Sequence, residues 1–256
     1  MATTTSGSNI TGVEIPKRWR HLLLVLYLAL VYLVILLPVA YVFPFGLTGN
    51  FSGVTRQEFM GPLINSFKLA IFVGLITMVL STIAARFYRR VKYKNAYLLL
   101  MSLPLFIPGS THALAVAVTA KELGLSLSFW TLTAAHVMYT FPFGFLMILA
   151  MMAGLPENLI AASKDLGASE VRAFFDIELP LIQDGVVSAF LVGVLLSLNE
   201  AERASILGGS YTTISGVQLS YFEAVGLDPT LYTLNLVLVL VSILLISVIL
   251  VLLIFR

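Results

Sequence analysis

The uncharged apolar runs limit what this chain can fold into more than any other feature. Residues 22–43, LLLVLYLALVYLVILLPVAYVF, and 231–255, LYTLNLVLVLVSILLISVILVLLIF, each continue past twenty residues without a charge. At 1.5 Å per residue, about twenty helical residues cross a hydrocarbon core of about 30 Å. In lipid a chain must satisfy its backbone polar groups internally, which leaves helices or a closed barrel. The runs are too long and too unbroken for barrel strands of alternating polarity. Charged residues make up 11% of the 256 positions, where a soluble domain carries roughly 25%. The fold class expected is therefore all-α, a polytopic membrane bundle.

Six stretches meet the length requirement, near residues 21–43, 64–86, 96–119, 128–152, 184–207 and 231–255. Residues 1–20 are predicted to form a cytoplasmic tail, because their first part is rich in Thr, Ser and Gly. Residues 21–256 then form one transmembrane domain. Basic residues concentrate beside alternate span ends: Lys17, Arg18 and Arg20, then Arg86, Arg89, Arg90, Lys92 and Lys94, then Lys164 and Arg172, then Arg256. This bias predicts that both termini face the cytoplasm. It puts the polar segment between the fourth and fifth spans on the same side. Pro104, Pro108 and Gly109 interrupt the third span, and Pro142 and Gly144 the fourth; either set reads as kinks or as the lining of a pathway.

The polar segment GLPENLIAASKDLGASEVRAFFDIELP, residues 154–180, reads as a helix–Gly–helix hairpin near 155–182. Pro156 and Glu157 suit a helix start, and Gly167 can end that helix in a left-handed conformation. Ser169 can cap a second helix, which Pro180 is expected to stop at Leu179. Leu159, Ala162 and Leu166 share one stripe, and Val171, Phe174, Phe175 and Ile177 make a bulky second surface. Either the hairpin packs back on the span ends or it offers a face to a soluble partner.

Ala162, Gly167, and Ile177 to Pro180 in the pattern Ile-x-Leu-Pro have the spacing of the EAA signature, which the chain resembles. That signature marks the type I importer permeases driven by ATP-binding cassettes, with the MetI-like fold. The second permease of spermidine/putrescine importers is the most similar branch, over roughly residues 60–250. The position of the signature's glutamate is Ala161, and Glu157 lies one turn earlier. The resemblance implies a second homologous permease subunit, two ATPase subunits that bind ATP and Mg, an extracytoplasmic substrate-binding protein, and a bacterial cytoplasmic (inner) membrane. It also implies that the hairpin couples to the ATPase, through Glu157, Ala162, Asp165, Gly167, Ile177 and Pro180. No phosphate-binding Gly-rich loop ending in Gly-Lys-Ser/Thr occurs, so the chain is not expected to hydrolyse ATP itself, and no cofactor, metal or nucleic-acid partner is expected.

Within the fifth span, Asn199, Glu200, Glu202 and Arg203 are expected in the outer half of the bilayer, spread over about 160° of one side of the helix. Either an acid pairs with Arg203 at the interface, or the cluster is a polar station on the substrate path. In polyamine importers the corresponding place carries two consecutive acids, here Asn199 and Glu200. Tyr139 and Phe141, with Trp130 and Tyr211, could enclose a cationic solute or simply pack. His112 and His136 read as packing or hydrogen-bonding residues. The function implied is the permease subunit of an importer of small solutes, polyamines or related amino compounds. An ion-gradient-driven secondary transporter or channel using Glu200 and Glu202 is the alternative, and it leaves the hairpin without a role.

Overall fold

The computed structural model describes residues 17–49, 57–156, 159, 162–163 and 165–254. Most of the expected tail, and Glu157, lie outside the described residues. The chain divides into two compact units, one ending at Phe45 and one beginning at Gly46. Among the described residues all regular structure is helical. The first unit is built on α1 (Lys17–Leu47). The second contains α2 (Gln57–Tyr88), α3 (Lys94–Ser102), α4 (Gly109–Glu122), α5 (Phe129–Ala153), α6 (Glu170–Leu198), α7 (Glu202–Leu207), α8 (Ile214–Val225) and α9 (Pro229–Ile254).

Four segments among the described residues are long and apolar enough to cross a membrane: Phe59–Tyr88, Phe129–Ala153, Glu170–Leu198 and Pro229–Val251. A fifth candidate is bent. The third predicted span divides into Lys94–Phe106 and Gly109–Glu122, which meet at 92°. Leu103–Phe106 form a single 3₁₀ turn, and Ile107 is extended at φ −94°, ψ 121°. The ring of Pro108 disfavours helical geometry at the residue before it, so the predicted kink becomes a corner.

The helices α2, α5 and α6 pack on one another and form the middle of the second unit. Lipid tails are as apolar as leucine, so close packing and hydrogen bonds hold such helices together. A Cβ on Gly193 of α6 would stand 2.9 Å from the Gly74 Cα of α2. Only hydrogen at both positions lets these backbones meet. Gly144, read from sequence as part of a kink or of a pathway lining, lies inside the unbroken α5, where a Cβ would reach the Ser81 hydroxyl at 2.7 Å. Beside it Thr77 and Thr140 join their buried hydroxyls at 2.6 Å, and Ser81 Oγ donates to Phe141 O at 3.1 Å. Apolar clusters lie on either side of this hydroxyl layer: Leu69, Val73, Leu132 and Leu207 toward one end, Phe145, Ile148, Met152 and Ile182 toward the other.

Candidate functional site: a surface hairpin and a buried polar break

Among the described residues of the predicted hairpin, the chain turns at Gly167. Gly167 has φ +87°, and the Ala168 N–H donates to Ser163 O at 3.0 Å, which is the bond pattern of a helix closed by a left-handed glycine. Ser169 Oγ accepts from the Arg172 N–H at 3.3 Å and caps the next helix. Pro180 does not stop that helix, contrary to the expectation. Ala173–Glu178 form a π-helical stretch, and the Leu179 N–H reaches back to Phe174 O. Pro180 then falls in the first turn of the α-helical stretch Leu179–Leu198, where a missing N–H is tolerated. The second arm of the hairpin and the fifth span are thus one rod, α6.

Basic residues at the end of α2 hold this rod. Arg86 Nε donates to Glu178 Oε2 at 3.2 Å, its Nη2 donates to Glu170 O at 3.2 Å, and its guanidinium lies 4.5 Å from the Phe174 ring centre. Arg90 meets the Glu170 carboxylate at 3.0 Å. Composition marks these arginines only as residues flanking a membrane. Their partners lie 80 to 92 positions later and carry no local signal. Of the predicted coupling residues, Ala162, Asp165, Gly167 and Pro180 are exposed and Ile177 is half-buried. Leu166 is 90% exposed beside them.

The second polar assembly lies at the far end of α6. The fifth predicted span, 184–207, is broken there: α6 ends at Leu198 and the short α7 begins at Glu202. Placing residues 199–203 on one continuous helical face was therefore wrong. Side chains take over from the backbone at the break. Asn199 Nδ2 donates to Leu195 O at 2.8 Å and to Ser242 Oγ at 3.1 Å, and Ser215 Oγ donates to Leu198 O. Glu200 Oε1 accepts the Arg203 N–H at 3.1 Å, which satisfies a free donor in the first turn of α7.

Arg203 is 4% exposed and is the centre of the assembly. Its Nη1 donates to Glu200 Oε2 at 2.8 Å, its Nε donates to His112 Nδ1 at 3.1 Å, and its guanidinium stands 4.4 Å from the Tyr139 ring centre. As His112 Nδ1 accepts, the imidazole is neutral, and its Nε2–H faces Met138 Sδ at 2.9 Å. Pairing of an acid with Arg203 is thus observed, with both side chains largely buried in the protein. Glu202 is exposed and has no cationic partner among the described residues. Its carboxylate crowds the space that a Cβ on Gly109 would need, so the corner between α3 and α4 abuts the break between α6 and α7. His112, read from sequence as a packing or hydrogen-bonding residue, belongs to this cluster.

Phe141 does not join the assembly. It stacks on Phe145, with centroids 6.2 Å apart and planes 15° apart, in the apolar cluster toward the hairpin. It lies two residues from Tyr139 and on another side of α5. Trp130 and Tyr211 pack edge-on to Phe129, and the Tyr211 hydroxyl donates to Asn65 O at 2.9 Å. His136 is fully buried with Nδ1 2.9 Å from Ser197 Oγ.

Residues 77–256 match the family described as "Binding-protein-dependent transport system inner membrane component". Over 181 residues the chain is 30% identical to the spermidine/putrescine transport system permease protein PotC of Haemophilus influenzae, covering 70% of each chain. It is 26% identical over 181 residues to the osmoprotective compounds uptake permease protein GgtD of Synechocystis, covering 70% of this chain and 61% of that one. Among solved structures, a chain of a bacterial alginate ABC transporter in complex with its alginate pentasaccharide-bound periplasmic protein superposes with a TM-score of 0.67 at 17% identity, over 92% of this chain and 93% of that one. A chain of the inward-facing MetNI methionine ABC transporter gives 0.60 at 16% identity, over 76% and 96%.

Proposed function

This chain belongs to the family of inner membrane components of binding-protein-dependent transport systems and is the permease subunit of such an ABC importer, and we propose that its cargo is a polyamine or related amino compound. The named substrates of the PotC relatives support this cargo. The exposed carboxylate of Glu202, which has no cationic partner among the described residues, supports it as well, since such a group attracts a cation. Glu200 is neutralised by Arg203, so Asn199, Glu202 and Tyr139 are the contacts proposed for the path.

The proposed assembly contains a second homologous permease subunit, two ATPase subunits that bind ATP and Mg, and an extracytoplasmic substrate-binding protein. In it α1 and the bent α3–α4 pair count as spans, giving six. Residues 1–20 form a cytoplasmic tail, 21–256 the permease domain, and both termini face the cytoplasm.

One observation carries the coupling mechanism. The rod α6 begins in the hairpin and ends, without a break, at the polar cluster. Force delivered by the ATPase at Glu157, Ala162, Asp165, Gly167, Ile177 and Pro180 travels along α6 to Asn199. The break with its buried Arg203 then opens or closes the path. The chain contains no cysteine, so Ala162→Cys introduces a unique thiol. In native membranes a thiol-directed crosslinker at this position should capture an ATPase subunit, with capture changing between nucleotide-free and ATP-trapped states. Consistent failure to capture any nucleotide-binding protein would remove the coupling role.

A further inference from the structure

A groove of about 540 Å³ lies where α2 and α5 end and α3 begins, lined by Tyr88, Arg89, Lys94, Leu98, Leu149 and Met152 among others. Among the described residues no carboxylate lines it. Three arginines stand at the end of α2 and in the turn that follows it, and two of them hold the hairpin: Arg86 through Glu178 and Arg90 through Glu170. Arg89 points the other way. Its Nη2 donates to Met152 O at 3.0 Å and Leu155 O at 3.5 Å, at the end of α5. Lys94 is exposed, with its ammonium 5.9 Å from the Tyr88 ring centre. Neither cation is paired with a carboxylate among the described residues.

Below the cations the wall turns apolar, through Leu98, Leu149 and Leu146, the last 37% exposed. We propose that this groove is a binding site for an anionic phospholipid, with the phosphate between Arg89 and Lys94 and an acyl chain along the leucine wall. Charge complementarity selects the headgroup: basic pockets between membrane helices on the cytoplasmic side recognise anionic lipids, whose leaflet potential already concentrates them there. The leucine wall decides against a soluble polyanion, which would use the cations and leave that apolar surface in water. A bound lipid would join α2, α3 and α5 beside the hairpin root, while the ion pairs of Arg86 and Arg90 hold the other side. The site does not depend on which solute is carried.

The test is native mass spectrometry of the full-length protein, delipidated and re-equilibrated with equimolar phosphatidylglycerol and phosphatidylcholine. Retained phosphatidylglycerol should dominate, and Lys94→Gln should lower its occupancy about fivefold, the worth of one basic residue at a membrane surface. Leu149→Trp fills the groove without altering charge and should displace the lipid to a similar degree. Lys92→Gln should leave binding unchanged, since Lys92 lies over Tyr93 outside the lining. Thermal unfolding of each variant verifies that it is folded. Equal retention of the two lipids would overturn the site. So would binding unmoved by both groove variants, an equal loss in Lys92→Gln, or displacement by millimolar inorganic phosphate.

Discussion

Arg203 has three kinds of partner, a carboxylate, an imidazole nitrogen and an aromatic face, and each offsets part of the cost of burying a guanidinium. Removing one partner leaves the charge exposed to that cost. Glu200→Gln is expected to destabilise the protein by about 3–5 kcal/mol, the usual penalty for breaking a buried ion pair from one side. The double substitution Glu200→Gln with Arg203→Met should recover much of the loss in thermal unfolding, and the cycle measures the coupling directly. Glu202→Gln separates function from stability: the melting temperature should stay within a degree or two of the parent, while KM for a cationic solute rises several-fold in proteoliposomes containing the assembled importer. An unchanged KM would take Glu202 out of the path.

Among the elements, the turn at Gly167, the cap at Ser169 and the four long spans could be read in advance because their signals are local. Gly167 needs a left-handed backbone, Ser169 needs only the amide three residues on, and an apolar run needs only its own length. The breaks could not be read in the same way. Pro108 announces a disruption but not its 92° size, and the Glu202 that abuts Gly109 at the corner lies nearly a hundred positions later. Residues 199–203 look like polar decoration on a helix until Ser215 and Ser242 arrive to hold Leu198 O and Asn199. Pro180 misleads because a π turn lets the helix pass through it. Gly167→Val would force a β-branched residue to φ +87°, a strain of about 1–3 kcal/mol on a surface turn. Membrane insertion should survive, and ATP-driven uptake should fall by tenfold or more. Glu178→Gln removes the carboxylate from Arg86 and should lower transport-coupled ATP hydrolysis, with a smaller effect on assembly.

For the whole molecule, charge is held at the two ends of the second unit, and the middle is held by glycines and hydroxyls. At one end Arg86–Glu178 and Arg90–Glu170 fasten the hairpin, and at the other Glu200–Arg203 closes the break. Between them Gly74, Gly193, Thr77 and Thr140 allow α2, α5 and α6 close approach with little side-chain interlock. Gly193→Leu should therefore block the close approach and lower both thermal stability and uptake. ATP hydrolysis is expected only when the ATPase subunits are present, measured as phosphate release before and after their addition to the purified chain. The π turn at Ala173–Glu178 has a further consequence, because such a turn holds one residue more than the α geometry around it. It is a spare link. Deleting one residue there should leave both halves of the rod at their present bearings. The same deletion at Val192 would swing everything beyond it by about 100° and scramble the far end.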